Sequence, residues 1–487
     1  MRPHLPGHPG DPDPLAGRVD VDVVLVRTAA VDGDVEDRVR PEHRDARLVG
    51  GGRALHASNH DKGGRRPTLE TVVAAKPLII QRYMALVSDL DLPRFDYTQP
   101  DLHGERFHET LQALREQSWL ARTDLGFVVL DREAVNFFVK HRGAEFPGVK
   151  MFQLLGIDHG PLYDNLSRNI ISLNGEQHRR LRALVRDEFT PKAADRYRPA
   201  MRRFLEQLFE PIAGARRCDF VTAFAKPYPA LMIATVVGAP LEDAARLHEL
   251  SNLLQSQFDA IAVMTRREEL ERAAEEFEAY ARELVERHRT EPGDDLVSRL
   301  IAAEQKGDRL STEECVHLVQ DVMNGGVDTT QSQLAHGIRM FASHPDQWEL
   351  LGDDPSLAPA AAEEVLRFEP VAPFTSRVLV EPVEFRDVEF PAGSVIIASA
   401  WNANRESPGD DRPEEFDITA PRGAAKSLTF GAGPHFCLGS NLARAELQEG
   451  LAFLARRMPG LELDGKPRYG TITGLYGMES LPVRWAV

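Results

Sequence analysis

One ten-residue stretch constrains this chain more than any other: Phe430-Gly431-Ala432-Gly433-Pro434-His435-Phe436-Cys437-Leu438-Gly439. Three glycines, a proline and a single cysteine stand directly before an apolar-periodic segment marked by Leu442, Leu447, Leu451 and Leu454. Glycine lets backbone pass close to another object or take positive φ, which a side chain resists. A thiol just ahead of a helix meets the unpaired N–H groups of the first turn, and these favour its thiolate. The combination describes a backbone cradle that presents one thiolate to a flat partner. A glycine-rich turn holding a buried structural cysteine is the competing reading. A zinc site fits less well, since Cys437 and His435 lack a second ligand pair at the usual spacing.

A second unusual segment lies upstream. Ser311-Thr312-Glu313-Glu314 is a capping box and predicts a long helix running to about residue 343. Inside it stands Gly325-Gly326-Val327-Asp328-Thr329-Thr330. Two mid-helix glycines each cost about 1 kcal/mol against alanine, so close approach of another body is indicated. A threonine hydroxyl can also bond back to a preceding carbonyl and open the helix. At 100° per residue, Asp321 and Asn324 fall on the same arc as Gly325 and Thr329. A carboxylate there either pairs with a cation of a neighbouring helix or meets a polar group on a ligand. Elsewhere, Glu364 and Arg367 share one helix face, as do His178 and Arg182 one turn apart.

Together these segments resemble the cytochrome P450 family. Every defined position of its loop pattern, Phe-Gly-x-Gly-x-His/Arg-x-Cys-x-Gly, is present. Gly325 to Thr329 matches its Ala/Gly-Gly-x-Asp/Glu-Thr motif, and Glu364 to Arg367 its Glu-x-x-Arg. The resemblance implies that Cys437 is the axial ligand of haem b iron, with Phe430 and Gly431 beside it in the cradle. It implies that Thr329 hydrogen-bonds dioxygen and that Asp328 relays protons. His178, Arg182, Arg377 and His435 take the positions of propionate-binding residues. Glu364 and Arg367 are expected to hold the core behind the cysteine loop. The family often adds a further base in Pro413-Glu414-Glu415-Phe416, but Glu415 stands there, so Arg405 or Arg412 is the expected substitute.

The implied activity is a haem-thiolate monooxygenase that inserts one oxygen atom from O2 into a small organic substrate by hydroxylation or epoxidation. Its electrons would come from NAD(P)H through ferredoxin reductase and ferredoxin. A peroxygenase using H2O2 is one rival, and a haem-binding sensor without turnover is another. The rest of the chain is consistent with this. A net charge of −17 argues against nucleic acid and anionic membrane as partners. Three scattered cysteines make no disulfide framework, and no apolar run is long enough to span a bilayer, so a cytoplasmic protein is expected.

Residues 1–82 contain no Phe, Tyr or Trp and many Pro and Gly, and Tyr83 follows at once, which predicts a disordered, dispensable extension over 1–83. Residues 84–487 then form the catalytic domain, with Met84 a candidate natural start. Apolar periodicity predicts helices through 105–119, 134–140, 176–188, 191–208, 220–237, 241–254, 268–288 and 359–368. A strand is expected at 126–130, strand-like alternation at 377–400 and short strands after the last helix. Residues 147–166, broken by Gly148, Gly156, Gly160 and Pro161, read as loop. The fold class is mainly α with smaller β-sheet regions, in the cytochrome P450 manner.

Overall fold

Apolar stripes recurring at helical spacing build most of the body. In the computed structural model, which describes residues 85–99, 101–305, 310–406, 411–422 and 426–486, the Pro191–Ala213, Pro227–Val237, Arg267–Thr290 and Ser440–Arg457 helices pack around one large apolar core. The expected extension 1–83 and the start at Met84 lie outside the described residues. No helix among the described residues is long and apolar enough to cross a membrane.

Strand residues sit where the sequence alternates. A five-stranded sheet runs in the order Leu120–Arg122, Phe127–Val129, Val395–Ser399, Phe374–Leu379, Ala144–Glu145. Phe374 to Val378 pairs antiparallel with Ser399 to Val395, setting Arg377 opposite Ile396. The inner face of this sheet forms a separate apolar cluster with Phe107, Trp401 and Tyr476.

Two expectations fail for identifiable reasons. Residues 147–166 contain two helices, Val149–Leu154 and Pro161–Arg168. Gly148 and Gly160 precede them with φ of 50° and 107°. These glycines bound the helices rather than prevent them, and Phe152, Leu162 and Leu166 supply the buried contacts. The long helix predicted from 311 is interrupted at Val327 (φ −90°, ψ −71°), giving Thr312–Gly326 and Asp328–Ser343. Thr329 Oγ1 donates to Gly325 O at 2.9 Å across the break. The capping box at Ser311 and Glu314 is formed reciprocally.

Candidate active site

The Thr312–Gly326 helix, the cysteine loop, the start of the Phe374–Leu379 strand and the Gly175–Val185 helix enclose one cavity of about 520 Å³. Its wall includes Thr329, His178, Arg182, Arg377, Phe430, Gly431, His435 and Cys437. These residues are up to 259 positions apart in sequence. Asp328 is not on this wall.

The loop closes through Cys437 N–H, which donates to Phe430 O at 2.9 Å. Gly431 and Gly433 take φ of 68° and 71°, and a Cβ on Gly433 would press on Val139 O at 3.1 Å. Burial pushes the Cys437 thiol up, while N–H groups of Gly439 and Ser440, with Arg182 and Arg444, pull it down. Burial wins. Arg444 lies 4.5 Å over the Phe430 ring, which fixes that ring beside the loop.

Four basic side chains gather on one side of the cavity. Arg377 donates to Ser376 O (2.8 Å), Thr375 Oγ1 (3.2 Å) and Val139 O (3.4 Å), all uncharged acceptors. Burial without a counter-charge depresses it to about 10. Arg182 donates to Phe436 O and is likewise depressed by burial. The His178 and His435 rings lie 4.2 Å apart, and His435 Nε2 meets Asn174 Oδ1 at 3.1 Å. Burial and the neighbouring His178, Arg377 and Arg182 push His435 down to about 3, so it is neutral as it stands. Among the described residues no carboxylate pairs with any of the four.

A buried and a half-buried guanidinium with no anion to meet them, beside two imidazoles that can donate, fit a flat group carrying carboxylates. The glycines agree. A Cβ added to Gly325, Gly431 or Gly439 would meet nothing within 4 Å, and all three line the cavity. Gly326 differs: its Cβ would lie 2.2 Å from Ile233 Cδ1, so it serves helix packing.

Asp328 points behind the helix. Its Oδ1 accepts from Asn252 Nδ2 at 3.1 Å, its Oδ2 has no partner, and burial raises it to about 7. Neither Asn252 nor this outward turn was legible from the sequence.

The network behind the cysteine loop corrects another expectation. Buried Glu364 is held by Arg367 at 2.8 and 2.9 Å, by Asp417 N–H at 2.9 Å, and by Arg422 at 2.6 and 3.0 Å. Arg405 instead meets Glu414 and Phe368 O, and Arg412 meets Glu415 and Asp417. Those two are engaged by these partners, and the further guanidinium on Glu364 comes from Arg422. The family profile described as Cytochrome P450 matches residues 117–351 and 356–457.

The chain belongs to the cytochrome P450 family. Luteothin monooxygenase of Streptomyces thioluteus is 36% identical over 401 residues, covering 81% of this chain and 96% of that protein. Mycinamicin IV hydroxylase/epoxidase of Micromonospora griseorubida is 34% identical over 322 residues, covering 65% and 79%. The solved structure of the Bacillus subtilis bacillaene polyketide synthase cytochrome P450 PksS superposes with a TM-score of 0.72. It shares 26% identity and covers 81% of this chain and all of that one. This cytochrome P450 is a monooxygenase of the haem-thiolate class, and its fold is the mainly helical one expected.

Proposed function

We propose that this cytochrome P450 binds haem b through Cys437 and inserts one oxygen atom from O2 into a small organic substrate, with electrons from NAD(P)H delivered by ferredoxin reductase and ferredoxin. The observation that carries the reading is a single cavity whose wall holds Cys437, four basic residues without counter-ions, and Thr329. Arg182, Arg377, His178 and His435 would take the two propionates. Gly325, Gly431 and Gly439 would leave room for the ring. The chemistry supplied by the bound haem is reductive activation of dioxygen, favoured by electron density from a thiolate ligand.

The chain's own part is positioning and proton supply. Thr329 Oγ1, held by Gly325 O, keeps a hydroxyl at the cavity wall beside the helix break. Asp328 lies one residue behind it, and burial sets its carboxyl near neutrality, where a group both holds and releases a proton. Its unpartnered Oδ2 is the atom from which that proton would leave. Hydroxylation or epoxidation is the reaction type, as in the name of the Micromonospora relative.

Substrate-dependent oxygen uptake with NAD(P)H, ferredoxin reductase and ferredoxin tests the reading. Thr329→Ala is expected to bind haem normally while diverting reducing equivalents to peroxide or water. Turnover driven by H2O2 alone would assign a peroxygenase. Haem binding with no substrate-dependent oxygen uptake would assign a sensor. Unchanged coupling in Thr329→Ala would remove the role given to that hydroxyl.

A further inference from the structure

The cavity has a polar end that the oxygen chemistry does not use. Asp321 lies two helical turns before Thr329 and lines the same cavity. Its Oδ2 accepts the Ile170 N–H at 2.7 Å. No cation among the described residues pairs with it, which rules out the ion pair that its position first suggested; burial raises it to about 8, offset only by that N–H. The backbone bond orients the carboxyl, and among the described residues no hydrogen bond reaches its Oδ1.

Two amides reinforce this end. Asn324, three residues on and on the same helix side, is 3% exposed, and its Oδ1 is unpartnered. Gln257, in the Ser256–Phe258 turn across the cavity wall, is 2% exposed, and neither its Oε1 nor its Nε2 finds a partner. Because both ends of Gln257 are orphaned, the conclusion holds whichever way its amide is turned. Buried polar groups without partners are costly and uncommon in native proteins. These three atoms belong to two residues that line the same cavity as Asp321, and a ligand reaching all three residues would complete them. Purely apolar occupancy would leave all of them unpaired.

Resting on the monooxygenase reading, we propose that Asp321, Asn324 and Gln257 form a substrate-anchoring subsite for a hydroxyl or a primary or secondary amide. Both groups donate as well as accept. They therefore satisfy the orphaned amide oxygens and also the Asp321 carboxyl, whether it holds its proton or has lost it. Eight residues at 1.5 Å rise separate Asp321 from Thr329, about 12 Å along the helix. With the interruption at Val327 between them, the anchored group thus sits on the order of 12 Å from the carbon presented near Thr329. This subsite selects substrates of that length with a donor at the far end, and it fixes which carbon is oxidised.

The test is isothermal titration calorimetry on the full-length haem-loaded protein with matched probes. These are C10–C14 alkan-1-ols and N-methyl alkanamides, each against its methyl ether or N,N-dimethyl counterpart. Methyl capping removes the donor and adds apolar surface, so apolar packing alone favours the capped member. The subsite predicts that donors bind about tenfold tighter than their capped partners. Asp321→Leu is expected to abolish that preference, and Asp321→Asn, which keeps a donor and an acceptor, to retain part of it. Equal or tighter binding of the capped probes overturns the proposal, as does failure of every donor probe to bind. A preference that survives in Asp321→Leu overturns it as well. Calorimetry reads association alone, so an intact thiolate-type carbon-monoxide band with no donor preference refutes the subsite and leaves the haem-thiolate reading standing.

Discussion

Arg422→Ala removes one of the two guanidiniums on Glu364 and should destabilise the protein far more than its position in an irregular segment suggests. Arg422 makes two bonds to the Glu364 carboxylate, at 2.6 and 3.0 Å, and two to the carbonyls of Arg412 and Glu415, at 2.9 and 2.7 Å. The Glu364 side chain is 2% exposed and Arg422 16%, so water reaches the carboxylate only through the space the guanidinium vacates. Removing one member of a buried ion network costs about 3–5 kcal/mol. With unfolding entropy near 2.1 cal/mol/K per residue over about 400 residues, that is a drop in Tm of roughly 4–6 °C. The assay is thermal unfolding of the haem-loaded protein, with urea unfolding as a second readout. Arg412→Ala is the control: its side chain is 53% exposed and pairs with groups near the surface, so a loss of about 1 kcal/mol or less is expected. A loss for Arg422→Ala no larger than for Arg412→Ala would refute the assignment of Arg422 as the second guanidinium.

The adjacent glycines of the interrupted helix should respond oppositely. Gly326→Ala forces a Cβ against Ile233 Cδ1 and Cγ1, at 2.2 and 2.8 Å, costing about 1–3 kcal/mol in overpacking against about 1 kcal/mol of helix propensity gained. Gly325→Ala meets nothing within 4 Å and in the haem-free protein should be neutral or stabilising by up to about 1 kcal/mol; equal urea midpoints for the two haem-free variants would contradict this. On the Gly175–Val185 helix and the turn after it, Arg179 and Arg186 are exposed, whereas Arg180 is engaged by Glu314. Charge reversal at Arg179 and Arg186 should slow reduction by ferredoxin, with the defect shrinking as salt rises; no change at low salt would dispose of this face as the donor's docking site.

The parts of this site legible in the sequence are those whose chemistry is local. The cysteine loop needs its glycines within a few residues of Cys437, so the whole cradle is written in one stretch. The capping box at Ser311 is likewise local. Contacts made by the tertiary fold left no such mark. Arg422 reaches Glu364 from 58 residues away, in a segment with nothing to distinguish it from other surface arginines. Asp321 is held by a backbone N–H of Ile170, and no residue type announces a backbone donor. The opening of the helix was legible in Gly325-Gly326 and in the Thr329 hydroxyl, which does bond back to Gly325 O, but its place at Val327 was not, because apolar periodicity continues through it. In 147–166 the glycines suggest an end to regular structure, yet the positive φ of Gly148 and Gly160 starts two short helices that bury Phe152 and Leu162.

The assignment of Cys437 as the haem ligand is tested most directly by the carbon-monoxide difference spectrum of the reduced protein, recorded for wild type and Cys437→Ser side by side. Sulfur at this position lies in the cavity, within reach of N–H groups from Gly439 and Ser440 and of Arg182 and Arg444. Wild type should give the thiolate-type band. Cys437→Ser, nearly isosteric, should keep its fold and lose that band, since a serine oxygen does not supply the thiolate's electron density. A thiolate-type band that persists in Cys437→Ser would contradict the account.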